Sequence, residues 1–448
     1  MGLSGIEIMK MLPKKNCGEC GVPTCLAFAM KVAAGQADIN ACPHASDEVK
    51  AKISEASAPP IRTIKLGSGD NTFEMGGETC LYRHEKRFEH PTGICVLVST
   101  DMSDEDISGR LSRFNTLRYD RVGVLMKADL IAIKDAGDKA AFTSLVERVR
   151  NECPDACLVL MSEDPDVLSE GAKICGDHKP LLYAAAKDNA EKMVEVAKET
   201  SCPLCVKGEK LGDTASLAEK ISEDYKDLVL DTGARTVRAV LEDQIAIRRA
   251  SIKHKVRSVG FPTITFPCEM TDDLMVESMI ASILVAKYAG IVVLSDLQAD
   301  TVYPLFLERL NIFTDPQRPM VVQEDIYPIN GPDENSPVLI TCNFSLTYFI
   351  VSGEVEGSKV PSWLLIKDTE GLSVLTAWAA GKFSADLIAA FVKKCGIADK
   401  ISHRCLIIPG YLASLKGELE EELPDWTIQI GPREASHLPA FLRDWQPS

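Results

Sequence analysis

Cys17, Cys20, Cys25 and Cys42 are spaced C-x2-C-x4-C-x16-C, and Pro43 follows the last of them. Four thiolates in that pattern suit one small inorganic core: the first three share a tight loop and the fourth returns from elsewhere, as a [4Fe-4S] cluster requires. Its chemistry would be one-electron transfer. Gly18 and Gly21 carry no side chain, so the loop can curl with its amides aimed at the sulfurs. Thr24 is a candidate N-cap for a helix running from Cys25 to Ala34 and stopping at Gly35, which would bring Cys42 back to the loop. Tetrahedral zinc is the alternative for four cysteines. Zinc sites more often pair two C-x2-C knuckles, so the clustered triplet with a distant Cys-Pro favours iron and sulfur. With 15 cysteines scattered over 448 residues and no signal peptide, the thiols are expected to be reduced and the protein cytoplasmic.

Other constellations read as structural. Cys202 and Cys205 form a C-x2-C without a second pair and overlap an apolar run, and Cys153 and Cys157 flank Pro154. The seven histidines, at 44, 84, 90, 178, 254, 403 and 437, form neither a triad nor an i, i+4 metal pair, so hydrolytic machinery is missing. The acidic run Glu418 to Glu422 is a solvated helix face.

The elements that must position these residues follow from the apolar pattern. The length predicts two to four domains. A net charge of −16 argues against nucleic acid as a partner. The longest apolar stretch, Met279 to Leu294, is interrupted by Lys287, so no membrane span is expected. Small residues and prolines at Ser54–Pro60 predict a linker after a cluster domain at residues 1–57, and glycines within Ile61–His90 predict hairpin turns in a segment at 58–92. Within residues 93–320, eight short apolar runs alternate with amphipathic stretches: Ile94–Val98, Leu130–Lys134, Leu158–Met161, Leu181–Ala185, Leu204–Lys207, Leu228–Asp231, Thr263–Phe266 and Ile291–Leu294. Eight such units suit a (β/α)8 TIM barrel; an open doubly wound sheet has the same periodicity. The polar residues at the run ends, Asp101, Asp135, Ser162, Lys187, Asp231, Glu269 and Asp296, read as helix caps rather than a catalytic set. Prolines gather again at Asp315–Pro337, and residues 321–448 form a second α/β domain. Its strands are expected at Val338–Cys342, Trp363–Lys367, Cys405–Ile408 and Thr427–Ile430, and its helices at Leu372–Ala380, Ala385–Cys395 and Ala413–Leu423. Ligands of open α/β sheets bind outside the carboxyl ends of the strands.

The whole chain resembles the large (gamma) subunits of the corrinoid iron–sulfur proteins of the anaerobic acetyl-CoA pathway. The resemblance is carried by Asn16 to Cys25 with Cys42-Pro43, by Gly77-Glu78-Thr79 through Tyr82-Arg83-His84-Glu85-Lys86, and by the carboxyl-terminal domain. It implies an α/β multidomain protein: a small [4Fe-4S] domain, a TIM barrel and a Rossmann-like corrinoid-binding domain. It implies a methyl carrier in a corrinoid methyltransferase system. Cobamide cobalt, as Co(I), would take methyl from methyltetrahydrofolate on a separate methyltransferase and yield it to acetyl-CoA synthase/CO dehydrogenase. The cluster would let an electron donor such as ferredoxin reactivate cobalt that has slipped to Co(II). A small (delta) subunit is the implied heterodimer partner. The Asp-x-His-x-x-Gly signature of many corrinoid proteins is absent, Asp177-His178 lying in another context, so a base-off cobamide without a protein histidine ligand is expected. The corrin is placed against the strand-end loops. The contacts there are Thr341, Asn343, Leu346 and Thr347, then Glu370, Gly371, Leu372, Ser373 and Thr376, then Gly410, Tyr411, Gly431 and Arg433. Two rival classes are a stand-alone methyltransferase whose barrel binds a pterin and an iron–sulfur electron carrier without cobamide.

Overall fold

A computed structural model describes residues 4–33, 36–121, 124–317 and 319–447. The chain divides into two compact units: Met1–Arg118 with Lys127–Phe313, and Tyr119–Met126 with Thr314–Ser448.

The first unit opens with helix Gly5–Met11, started by a capping box in which the Ser4 hydroxyl and the Glu7 carboxylate each satisfy the other's backbone N–H. This helix, helix Cys25–Ala33, the 3-10 turn Ile39–Ala41 and helix Asp47–Ser57 pack Ile8, Leu12, Phe28, Val32, Ile39 and Ile53 into a small core. The expected linker is therefore partly helix, since Ser54–Ser57 form its last turn. Nor does the rest hang free: the Arg257 guanidinium donates to the carbonyls of Ala58 and Pro59.

Eight parallel strands follow, Gly93–Ser99, Leu130–Lys134, Cys157–Met161, Leu181–Ala185, Leu204–Lys207, Leu228–Asp231, Ile264–Thr265 and Ile291–Leu294. Each pairs with the next, the eighth returns to the first through Ile291↔Gly93, and the Leu230↔Thr263 bridge closes the circle between sixth and seventh. This closure decides for the barrel and against the open sheet. Near-continuous apolar strands buried on both faces are what a parallel barrel demands. Eight helices surround it among the described residues, from Asp104–Thr116 to Ala299–Ile312.

The expected hairpin is Ile64–Ser68 paired antiparallel with Asn71–Met75. It stoppers the amino-terminal end of the barrel: Ile64, Leu66 and Met75 join Cys95, Leu130, Cys157 and Val159 in the interior core, and Gly67 N–H donates to the carbonyl of Lys179. A Cβ on Gly67, whose φ is +80°, would lie 1.9 Å from the Asn71 carbonyl oxygen, so the turn requires glycine. The Gly77–Lys86 motif belongs to this closure. Glu78 pairs with Arg248 at 2.8 Å in a buried contact, and the guanidinium lies between the rings of Phe88 and Tyr288 at 4.7 and 4.4 Å. Arg83 donates to the carbonyls of Asn311 and Ile312.

The second unit is a five-stranded sheet in the order Asp325–Ile329, Ser362–Lys367, Val338–Cys342, Cys405–Ile408, Thr427–Ile430, antiparallel at the first edge and parallel elsewhere. Alternate side chains feed two cores. Val338, Ile340, Leu365, Leu406 and Ile408 meet helix Ala385–Lys394 on one face, while Leu339, Leu364, Ile366 and Ile407 meet helices Ser345–Ser358 and Leu438–Arg443 on the other. The hairpin Tyr119–Arg121/Val124–Met126 joins this unit, with the Arg121 guanidinium 5.1 Å from the centre of the Phe349 ring.

Candidate cluster loop and strand-end cavity

The cysteine loop is built by backbone that side chains resist. Lys14, Asn16, Gly18 and Gly21 all have positive φ, the two glycines at +77°. No heavy atom lies within 4 Å of where their Cβ atoms would be, so the glycines serve conformation rather than space. The Asn16 side chain accepts from Cys25 N–H at 2.8 Å, and Asn16 N–H points at Cys25 Sγ at 3.4 Å. Amide-to-sulfur contacts of this kind tune an iron–sulfur centre. Thr24 Oγ1 accepts from Ala27 N–H, the N-cap anticipated for the helix that begins at Cys25. Ala34 and Gly35, the expected helix end, lie outside the described residues. Asp38 caps the 3-10 turn that carries the chain to Cys42.

Cys17 is exposed, Cys20 half-buried, and Cys25 and Cys42 buried, so the sulfurs span from surface to core. Tetrahedral zinc with bonds of about 2.3 Å would draw its sulfurs to within about 4 Å of one another. Among the described residues no three of the four sulfurs come within 4.8 Å. A group whose ligand atoms do lie within 4.8 Å of one another is Cys17, Glu19 and His44. Lys15 Nζ donates to His44 Nδ1 at 3.3 Å, and His44 Nε2 meets Glu19 at 3.1 Å. Other cysteines differ: burial pushes the Cys157 thiol up to about 11 and Cys175 and Cys268 to about 12, and raises Cys202, which is fully buried.

The barrel's strand-end polar groups are occupied with one another. Asp231 accepts from Tyr183 Oη at 2.6 Å and from Arg235 at 2.8 and 3.0 Å, and Arg235 also reaches Glu269. Arg113 grips Asp296, and Asp135 accepts from Ser162 at 2.9 Å. The helix caps are instead Ser103, Asp138, Asp164, Thr236 and Asp273. The capping role expected of the run-end residues thus falls to residues farther along each loop.

In the second unit, strands Val338–Cys342 and Cys405–Ile408 share only the pair Leu339↔Ile407, while their outer neighbours pair along their length. The strand order reverses there, and the gap at a topological switch point is where such sheets hold ligands. A cavity of about 310 Å³ opens at that place. Thr341, Thr347, Tyr411, Gly431 and Arg433 line it, together with Ile350, Val351, Ile408, Pro409 and Leu438. Tyr411 Oη donates to Glu434 at 2.9 Å, which raises the phenol's pKa, and the Arg433 guanidinium lies over the same ring.

Gly410 and Gly431 make the close approach of two loops possible, since a Cβ on Gly410 would lie 2.6 Å from the Gly431 carbonyl oxygen. Asn343 staples two more: its Oδ1 accepts from Thr369 N–H, Thr369 Oγ1 and Gly371 N–H, and its amide donates to Asp368. Asn343, Glu370, Gly371, Leu372, Ser373 and Thr376 stand behind the cavity rather than in its lining. Glu370 pairs with Lys382, Gly371 at φ +77° abuts Val321, Leu372 packs into the core, and the Ser373 and Thr376 hydroxyls bond each other. Leu346 is exposed outside it. Sequence reading missed Ile350, Val351 and Leu438, which sit on helices it did not assign; the i, i+3, i+4 spacing of Thr347, Ile350 and Val351 was the available signal. No histidine lines the cavity among the described residues. His403 bonds the Ser336 carbonyl at 3.0 Å and lies against Trp445.

A family model described as "CO dehydrogenase/acetyl-CoA synthase delta subunit" matches residues 63–442, and one described as "Putative Fe-S cluster" matches residues 12–44. The corrinoid/iron-sulfur protein large subunit of Moorella thermoacetica is 47% identical over 445 residues, 99% of both chains. The acetyl-CoA decarbonylase/synthase complex subunit gamma of Methanopyrus kandleri is 34% identical over 452 residues, 98% of this chain and 97% of its own. Among solved structures, dihydropteroate synthase from Thermus thermophilus aligns with 55% of this chain and 97% of its own at 14% identity and a TM-score of 0.38. The full-length match, with the cysteine loop at one end and the strand-end cavity at the other, places this chain in the family of corrinoid/iron-sulfur protein large subunits and acetyl-CoA decarbonylase/synthase gamma subunits.

Proposed function

We propose that this chain is a methyl-group carrier with a cobamide in the strand-end cavity and a [4Fe-4S] cluster on Cys17, Cys20, Cys25 and Cys42. The observation that carries the reading is the cavity itself, which lies at the switch point of the sheet and has no histidine in its lining. The same unit also exposes the apolar side chains Leu346, Leu375, Trp378 and Tyr411, of which Tyr411 lines the cavity. Bound there, a cobamide supplies a cobalt nucleophile able to accept methyl from methyltetrahydrofolate on a separate methyltransferase and release it to acetyl-CoA synthase. Thr341 and Thr347 offer hydroxyls, and Arg433 a guanidinium, to the amide side chains of the ring. Gly410 and Gly431 keep the loops narrow enough for backbone groups to reach it, and the staple at Asn343 holds the neighbouring loops in place. A cobamide held there would receive no histidine ligand from the lining, and cobalt with fewer axial ligands would be easier to reduce. The Asn16 amide and the left-handed glycines hold the cysteine loop for a cluster through which a donor such as ferredoxin would return Co(II) to Co(I) by one electron. The partners are a small (delta) subunit in a heterodimer, the methyltransferase and acetyl-CoA synthase/CO dehydrogenase, in the cytoplasm. The test is the electronic spectrum of anaerobically purified protein with cobalt and iron analysis. One cobalt and four irons per chain are expected; iron without cobalt in the heterodimer would leave only an electron carrier.

A further inference from the structure

We propose that the joined outer face of helices Gly5–Met11 and Cys25–Ala33 is the docking surface for a small acidic electron-transfer protein. The proposal rests on the reading of the four cysteines as an iron–sulfur site. Ile6, Leu26 and Met30 are 63%, 48% and 54% exposed, a large apolar outlay for a domain whose core is so small. Leu26 and Met30 stand one helical turn apart on one stripe. Met30 also reaches the first helix: a Cβ on Gly5 would lie 2.3 Å from its sulfur, and Ile6 is the next residue. Leu26 and Met30 therefore form one exposed stripe that meets the first helix at Gly5, next to exposed Ile6. It begins one residue from Cys25, and Cys17 on the same loop is open to solvent.

The nearby charges select the partner. Lys10 lies one turn beyond Ile6, Lys31 adjoins Met30, and Lys14 and Lys15 lead into Cys17; all four are exposed. The acidic side chains of residues 4–33 are Glu7, folded back onto Ser4, and Glu19, paired with His44. Four exposed lysines thus accompany the apolar residues in a stretch with two acidic side chains, on a protein whose net charge is −16. An acidic carrier is repelled by the bulk of such a molecule and steered to its basic spot, where apolar contact allows a short-lived docking. One electron then passes from the reduced carrier, which is oxidised by one electron, to the cysteine site, which is reduced by one. No proton or group moves with it.

The experiment uses the full chain with its partner subunit and an acidic clostridial-type ferredoxin. Calorimetric affinity is measured at low and high salt, and the rate of reduction is followed by the bleaching of iron–sulfur absorbance. Wild type should bind and be reduced at a rate that falls as salt rises. Lys10→Glu with Lys31→Glu should slow reduction by the ferredoxin at least about tenfold while leaving reduction by dithionite and iron content unchanged. Leu26→Gln with Met30→Gln, which keeps the charge, should weaken binding at high salt as well. Wild-type rates in both double variants, salt-independent rates, or equal binding of a basic carrier such as cytochrome c would overturn the docking face while the iron content still supports the cluster. A wild-type chain that assembles no iron–sulfur chromophore overturns the reading of the cysteines and the docking face with it.

Discussion

Single side chains divide into those the structure leaves open to chemistry and those it locks away. Cys17, Cys20 and Cys25 share one loop, and Cys42 returns to the small core that also holds Cys25, whereas Cys202 is sealed at the end of a barrel helix. Replacing any of the four by Ala should therefore lose or convert the cluster, and Cys202→Ala should leave iron content unchanged, as iron analysis and visible absorption will report. Arg248 tests the locked class. Its removal strands Glu78, whose pKa burial already raises against the pull of that guanidinium. Arg248→Ala should destabilise the first unit by about 3–5 kcal/mol in urea unfolding, and the double change with Glu78→Gln should recover part of the loss. The cysteines were legible because four thiols at fixed spacing admit few readings. The cavity was legible only by location: loops beyond strand ends could be named, but which members of a loop turn inward depends on φ, as at Glu370 and Gly371, and on stapling by residues such as Asn343.

Elements were legible where one pattern sufficed. Each barrel strand is a short apolar run followed by an amphipathic helix, and all eight runs matched. Strand Asp325–Ile329 escaped notice because Pro328 marks it as a breaker, which an edge strand tolerates. Helix Ser345–Ser358 escaped because Gly353, Gly357 and several β-branched residues weaken its signal. The hairpin Ile64–Ser68/Asn71–Met75 acts as a stopper for the barrel, and Leu66, in the middle of its first strand, is fully buried. Leu66→Ala should cost about 2–5 kcal/mol, read from the urea midpoint of the first unit. Helix Leu274–Ala286 supplies a pH-dependent case. Burial raises the pKa of Glu277 although Ser295 donates to it twice. Because the folded value lies above the unfolded one, this group's contribution is fully present below the unfolded pKa and is lost as pH rises through the folded one. Glu277→Gln should match wild type in acid and exceed it in melting temperature at neutral pH; a gap that stays constant with pH would refute this assignment.

At the scale of the whole molecule, the two proposed cofactors lie at opposite ends of the chain and need not act in every cycle. On the proposed reading, methyl uptake and release by cobalt would be two-electron steps, and a one-electron cluster would serve repair alone. Removing residues 1–57 should leave single-turnover methylation intact once cobalt is chemically reduced, and should abolish reactivation by a protein donor. Loss of methylation with cobamide still bound would draw the cluster domain into the methyl chemistry. The cut spares Ala58 and Pro59, which Arg257 holds. The division into units was less legible than their contents, because Tyr119–Met126 leaves the first unit between its first and second barrel strands to join the second. That detour matters while the protein is being made. The ribosome releases residues 119–126 before residues 127–313 and long before the rest of the unit they belong to, and domains fold largely in the order they emerge. The barrel strands that follow are made while residues 119–126 still wait for their own unit, so Phe349 meets Arg121 only when translation is about three-quarters done.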